Sequence, residues 1–134
     1  MSILTLDRPT FALELRTVDA TSAGRARHWA GWIREGLVPQ DTLDAVLLAA
    51  SELVTNAYRR TDSQRVLVSV QVLDAAVRLI VHDDAAPVDD WRAPAGGLGE
   101  HGRGLILVQA LATELDITTD AAGTTVSALI STAA

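Results

Sequence analysis

Glu52 and Asn56 stand four residues apart in the stretch SELVTNAYRR, residues 51–60. On a helix that spacing stacks a carboxylate and an amide on one face. If the helix is covered on both sides, the pair lines a partly enclosed space; if not, it is a solvated polar stripe. A second carboxylate, Asp83, closes the run VRLIVHD. In a pocket it accepts a hydrogen bond from an exocyclic amine, and as a turn residue or N-cap it is explained equally well. The third feature is Gly102-Arg103-Gly104-Leu105, which opens a helical pattern. Free backbone N–H groups and the positive dipole end make a helix N-terminus attractive to phosphate. Glycine there lets a ligand approach the backbone closely, though packing or turn geometry accounts for such glycines as well.

The elements that must position these residues follow from periodicity. Residues 41–59 read as one helix with Leu43, Leu47, Ala50, Val54 and Ala57 on one side. Glu52 and Asn56 fall on the other side, below Ala45, Leu48 and Ala49. Residues 65–73, RVLVSVQVL, alternate cleanly, and residues 77–83 follow after a short connection, so the two read as a hairpin. Residues 11–16 read as a first strand and residues 23–35 as a first helix, preceded by the candidate N-caps Asp19, Thr21 and Ser22. Residues 102–114 read as a third helix with Leu105 and Val108 in its apolar stripe. Two last strands, 115–119 and 124–130, flank a turn at Ala121, Ala122 and Gly123. Residues 85–101 form the one long irregular segment, a length that is commonly functional in compact domains. Grouped rather than alternating elements predict an α+β fold: a two-layer sandwich with three helices on one face of a mixed, mostly antiparallel sheet.

Composition narrows the function further. A chain of 134 residues suits a single domain with one core, taken here as residues 1–134. There is no cysteine, which excludes disulfides and thiolate metal sites. The N-terminal residues lack the pattern of a signal peptide, and no run approaches the roughly 20 apolar residues of a membrane helix. A cytoplasmic location without membrane contact is expected. The net charge of -6 argues against a nucleic-acid footprint. All 11 basic residues are arginine, so no mechanism needing a Schiff base or a phosphate-loop lysine is open. Residues 97–102, GLGEHG, match the GxGxxG pattern of dinucleotide-binding folds, but WRAPAG precedes them where a strand is required, and the match is rejected.

Taken in order, the boxes SELVTNA, VHDDAAP and HGRGLILV, with Gly123-Thr124-Thr125 late in the chain, resemble the ATPase superfamily of DNA gyrase and histidine kinases. Within it the wording is most similar to the anti-sigma-factor serine kinases. The resemblance implies ATP and Mg²⁺ as ligands. It implies that Asn56 coordinates the metal, that Asp83 bonds the adenine amino group with support from Thr125, and that Gly102 and Gly104 present N–H groups to phosphate. Residues 85–101 would then be a lid over the nucleotide. Arg59 and Arg103 are added as phosphate contacts. The resemblance casts Glu52 as general base, because a serine hydroxyl or a water must lose a proton to attack phosphorus. Histidine kinases usually carry asparagine at that position, so serine phosphorylation or hydrolysis fits better. The implied partners are a sigma factor and a small STAS-type antagonist protein, and a homodimer is expected by analogy. Three positions depart from the family pattern: Arg60 for a histidine, Ala85 for a glycine and Thr124 for a lysine. They motivate the second reading, a catalytically silent binding module of the same fold.

Overall fold

Val66, Val68, Val70 and Val72 recur at every second position, and in the computed structural model they line the buried face of one strand. The structure describes residues 10–15, 21–30, 38–60, 65–84 and 100–132, with the side chains of residues 58–60 and 100–104 outside that description. The elements are β1 (Thr10–Leu15), α1 (Ser22–Ala30), α2 (Gln40–Arg60), β2 (Val66–Val72), β3 (Ala76–Asp83), α3 (Glu100–Leu111), β4 (Glu114–Asp120) and β5 (Gly123–Ser131). The strands form one sheet in the order β1-β2-β3-β5-β4. Every pairing among them is antiparallel, which corrects the mixed sheet expected from the sequence. The remaining expectation stands: the fold is α+β, with three helices and one sheet.

Two hairpins build most of the sheet. Between β2 and β3, Leu73 N–H donates to the Ala76 carbonyl at 2.8 Å, closing a two-residue loop. Between β4 and β5, the Asp120 carboxylate accepts from Ala122 N–H at 2.8 Å, and Gly123 takes a φ of 126°. The two hairpins meet along the β3–β5 ladder, where Val81 faces Val126 and Leu79 faces Ala128.

Period-two alternation gives the sheet one apolar face. Successive cross-strand rows there are Phe11–Val70–Leu79–Ala128–Leu115 and Leu13–Val68–Val81–Val126–Ile117. The other face carries Ser69, Gln71, Arg78, Ser127 and similar residues, half-exposed.

The helix α2 packs on the apolar side against β2, β3 and β5, and against both α1 and α3. No glycine or proline interrupts its 21 residues. Asp41 sits in its first turn, where a negative charge complements the helix dipole. Ala49, Ala50 and Ala57 are fully or nearly buried, and their small side chains let neighbouring elements approach closely. Leu43, Val46, Leu53 and Val54 complete its contribution to the core. The helix is not covered all round, however, because Leu48 is 40% exposed.

The third helix runs from Glu100 to Leu111, starting and ending earlier than its apolar pattern predicts. Sheet pairing ends it. Thr113 donates from both its N–H (2.7 Å) and its hydroxyl (3.1 Å) to the Leu129 carbonyl, and β4 begins at the next residue. The first helix ends at Ala30 within the described residues, and residues 31–35 of the predicted helix lie outside them. Among the described residues no helix is long and apolar enough to cross a membrane.

Candidate functional site

The apolar face of the sheet turns polar in one row. That row reads Leu15–Val66–Asp83–Thr124–Thr119 across the five strands. Asp83 is 5% exposed and Thr124 is 1% exposed, so a carboxylate and a hydroxyl lie side by side at the buried end of the core. The Thr124 hydroxyl has no hydrogen-bond partner. A buried polar atom left unpaired costs roughly 1–3 kcal/mol, so its persistence points to a partner not supplied by the protein.

The close approach of β3 and β5 at this row depends on Gly123. A Cβ placed there would lie 1.9 Å from the Asp83 carbonyl oxygen, and its φ of 126° is one that residues with side chains rarely adopt. Asp84, the next residue, bends back so that its carboxylate accepts from Arg65 N–H at 3.1 Å. The end of β3 is thereby tied to the start of β2, and Asp83 is held between two anchored neighbours.

Thr125 was expected to support Asp83, and the register places it elsewhere. It stands opposite His82, so both side chains project from the far face of the sheet. Its hydroxyl lies 2.7 Å from His82 Nδ1. The residue beside Asp83 on the helix side is Thr124.

The helical layer brings two further pieces to the same end. The helix α2 finishes at Arg60, and β2 begins at Val66 in the Asp83 row. Its last turns therefore lie at this end of the sheet. Asn56, near those last turns, is 4% exposed, and its Nδ2 has no hydrogen-bond partner. Glu52, one turn earlier, is half-buried. Asn56 is therefore buried and Glu52 only partly so, on a helix whose flank at Leu48 is open to solvent. The helix α3 hands over to β4 at the opposite end of the sheet, where Glu114 pairs with Leu129. A 12-residue helix is about 18 Å long, so running back along the layer it carries its N-terminus toward the Asp83 row. Leu105 and Val108 are buried and hold it there.

Because α3 begins at Glu100, Gly102 falls in its first turn, among N–H groups without an intrahelical partner. Gly104 lies one turn in, where N–H groups bond to the helix's own carbonyls. The side chains of Arg103 and Arg59, and residues 85–99 of the proposed lid, are outside the described residues, while residues 100 and 101 of that segment belong to α3.

The donor set fits an adenine nucleotide. Asp83 is a carboxylate at a buried strand end, Asn56 Nδ2 and the Thr124 hydroxyl have unused donor capacity, and the first turn of α3 has backbone N–H groups. Among the described residues no group of three or more His, Asp or Glu side chains can hold a metal ion. A hard divalent cation here would bind through the Asn56 amide oxygen together with phosphate oxygens and water, as Mg²⁺ commonly does.

Comparison with known proteins points the same way. Residues 17–130 match the model of the histidine kinase-like ATPase domain. No curated protein sequence matches the chain significantly. Among solved structures, the RsbU and RsbW domains of Rv1364c from Mycobacterium tuberculosis superpose with a TM-score of 0.64 at 23% identity, covering 92% of this chain and 33% of that one. The blue-light activated histidine kinase EL346 of Erythrobacter litoralis superposes with a TM-score of 0.57 at 27% identity, covering 81% of this chain and 40% of the other. Its isolated kinase domain gives a TM-score of 0.57 at 25% identity, covering 82% and 57%. The chain therefore spans one third to just over one half of these structural neighbours.

Proposed function

The chain belongs to the histidine kinase-like ATPase family, and from that premise we propose that it is a regulatory serine kinase of the anti-sigma-factor type, using Mg-ATP. The observation that carries the reading is the Asn56 side chain, 4% exposed with an unpartnered Nδ2, one helical turn from the half-buried Glu52. A buried amide whose Nδ2 donor has no partner in the protein is suited to an acceptor such as a phosphate oxygen, and a carboxylate one turn away is suited to removing a proton.

In this reading Asp83 accepts a hydrogen bond from the adenine amino group. Thr124, rather than Thr125, supports it from the neighbouring strand. Gly102 presents its backbone N–H to phosphate, and Gly104 leaves room for the ligand beside the helix. Arg59 and Arg103 supply further phosphate contacts. Asn56 holds Mg²⁺, which when bound neutralises charge on the phosphates and leaves the protein mainly a positioning task. Glu52 takes the proton of an acceptor serine as its oxygen attacks the γ-phosphorus of ATP, whose bond to the bridging oxygen breaks to release ADP. An imidazole acceptor would need no such base, which separates this reading from histidine autophosphorylation. The acceptor is a small STAS-type antagonist protein, and the sequestered target is a sigma factor. The domain acts in the cytoplasm, with a homodimer as its expected assembly.

The test pairs two measurements. Calorimetric titration of the purified chain with Mg-ATP should show binding at or below millimolar nucleotide, and Asn56→Ala should abolish it. Glu52→Gln should retain ATP binding while phosphoserine formation on an antagonist protein falls by about 10²–10⁴-fold. Absence of binding in the unaltered chain would remove the whole reading. The catalytically silent alternative is favoured by Ala85 and Arg60, which replace residues usual in the family. It predicts nucleotide or partner binding with no phosphoserine under any condition.

A further inference from the structure

Glu52 is the last member of a stripe along α2 that also contains Asp41, Asp44 and Leu48. At about 100° per residue these four positions fall within roughly 80° of arc. Asp41 and Asp44 are exposed, Leu48 is 40% exposed and Glu52 is half-buried. The stripe therefore descends from solvent into the candidate site. Gln40 Nε2 donates to Asp44 at 2.9 Å, a neutral contact that leaves the carboxylate charge in place. Neither aspartate forms an ion pair with a described residue. Thr55, next along the same side, turns its hydroxyl back onto the Ser51 carbonyl at 2.8 Å and offers no competing contact. One turn past Glu52 lies buried Asn56, whose Nδ2 has no partner, so the stripe runs toward a position with an unmet donor.

We infer that this edge of α2 is the docking track for the acceptor protein, and that the docked segment is cationic with one apolar side chain. The inference rests on the serine kinase reading above and names the class of substrate that the site takes. Two carboxylates with no ion pair among the described residues attract a basic segment, and an exposed leucine between them and Glu52 gains from an apolar contact. A second copy docking through the same stripe would set carboxylate against carboxylate, and a nucleic acid would meet the same repulsion. The helix rise sets the spacing. Leu48, Asp44 and Asp41 lie about 6, 12 and 16 Å from Glu52 along the axis. A helical acceptor segment lying alongside therefore carries its serine over Glu52, an apolar residue four positions away, and basic residues eight and eleven positions away.

The probe is a helix-stabilised peptide with the pattern Ser-x₃-Leu-x₃-Arg-x₂-Arg, made in both chain directions, each with a partner in which glutamate replaces both arginines. Binding to the full chain is read by fluorescence anisotropy at low salt, with and without Mg-ATP. An arginine peptide should bind more tightly than its glutamate partner in at least one direction. The double substitution Asp41→Asn with Asp44→Asn should weaken that binding by roughly five- to tenfold while leaving ATP affinity unchanged. Equal binding of the arginine and glutamate peptides, no binding of either, or unchanged binding to the double variant would overturn the inference. Charge-selective binding without any phosphoserine would uphold the track and remove the kinase reading. Phosphoserine formed with no charge preference would uphold the kinase and remove the track.

Discussion

Replacing Asn56 by leucine should make the free protein more stable and leave it blind to nucleotide. The residue is 4% exposed and its Nδ2 is unpaired, so folding strips that NH₂ group of water without replacing the lost bonds. Such an orphan costs about 1–3 kcal/mol, and a branched apolar side chain of similar shape removes the penalty. Leucine is somewhat larger than asparagine, and the mismatch takes back part of the gain. The net expectation is about 1–2 kcal/mol of added stability. For a chain of 134 residues the unfolding entropy makes 1 kcal/mol equal to about 3.5 °C, so Tm should rise by roughly 4–7 °C. Ligand binding acts in the opposite sense on the comparison. At a nucleotide concentration of 100 Kd the unaltered protein gains about 2.7 kcal/mol, or roughly 10 °C, and the variant gains nothing. Thermal scans with and without Mg-ATP should therefore reverse the ranking of the two proteins. A variant less stable than the unaltered chain in the absence of nucleotide would mean that the amide is satisfied in the folded state. A variant that keeps the nucleotide-induced shift would mean that Asn56 is not part of the site.

Gly123→Ala should lower stability by more than about 3 kcal/mol, since it combines a disfavoured φ with a Cβ 1.9 Å from the Asp83 carbonyl oxygen; urea unfolding measures the loss, and a change under 1 kcal/mol would show that β3 and β5 can part without consequence. Thr124→Val should leave stability unchanged or raise it by up to about 1 kcal/mol while weakening nucleotide binding, whereas Thr125→Val should cost about 0.5–1.5 kcal/mol through the lost His82 bond and leave binding intact. Calorimetry on both variants decides between them, and the opposite pattern would invert the assignment of faces. Gly24→Ala should add about 0.5–1 kcal/mol, because a Cβ there meets nothing within 4 Å on a helix whose backbone alanine stiffens; a destabilised variant in a thermal scan would contradict that packing.

Residues 51–56 were legible because helical spacing alone stacks Glu52 and Asn56, and a run of 19 residues without glycine or proline leaves little doubt about the helix. The strands were equally plain where valine alternates, as in β2 and β3. Parity was not legible at Thr124 and Thr125. Two identical side chains in succession carry no signal of which face each takes, and only the register against Asp83 and His82 settles it. The same limit applies to strand direction: an apolar alternation looks alike in parallel and antiparallel ladders, which is why a mixed sheet was expected and a wholly antiparallel one is found among the described strands. Leu48 illustrates a third limit. Its apolarity suggested a covered flank, yet it is 40% exposed, because hydropathy says what a side chain tolerates and not what neighbours exist to bury it.

The ladder between β3 and β5 is a seam between two separately closing units. Each hairpin forms from residues near one another in sequence, but Asp83 and Thr124 come from different hairpins and meet only when the seam zips, across a gap of some forty residues. Neither hairpin alone can present the carboxylate beside the hydroxyl. If the adenine docks at this pair as proposed, nucleotide binding reports completed assembly, because chains caught before that last docking lack the adenine contacts.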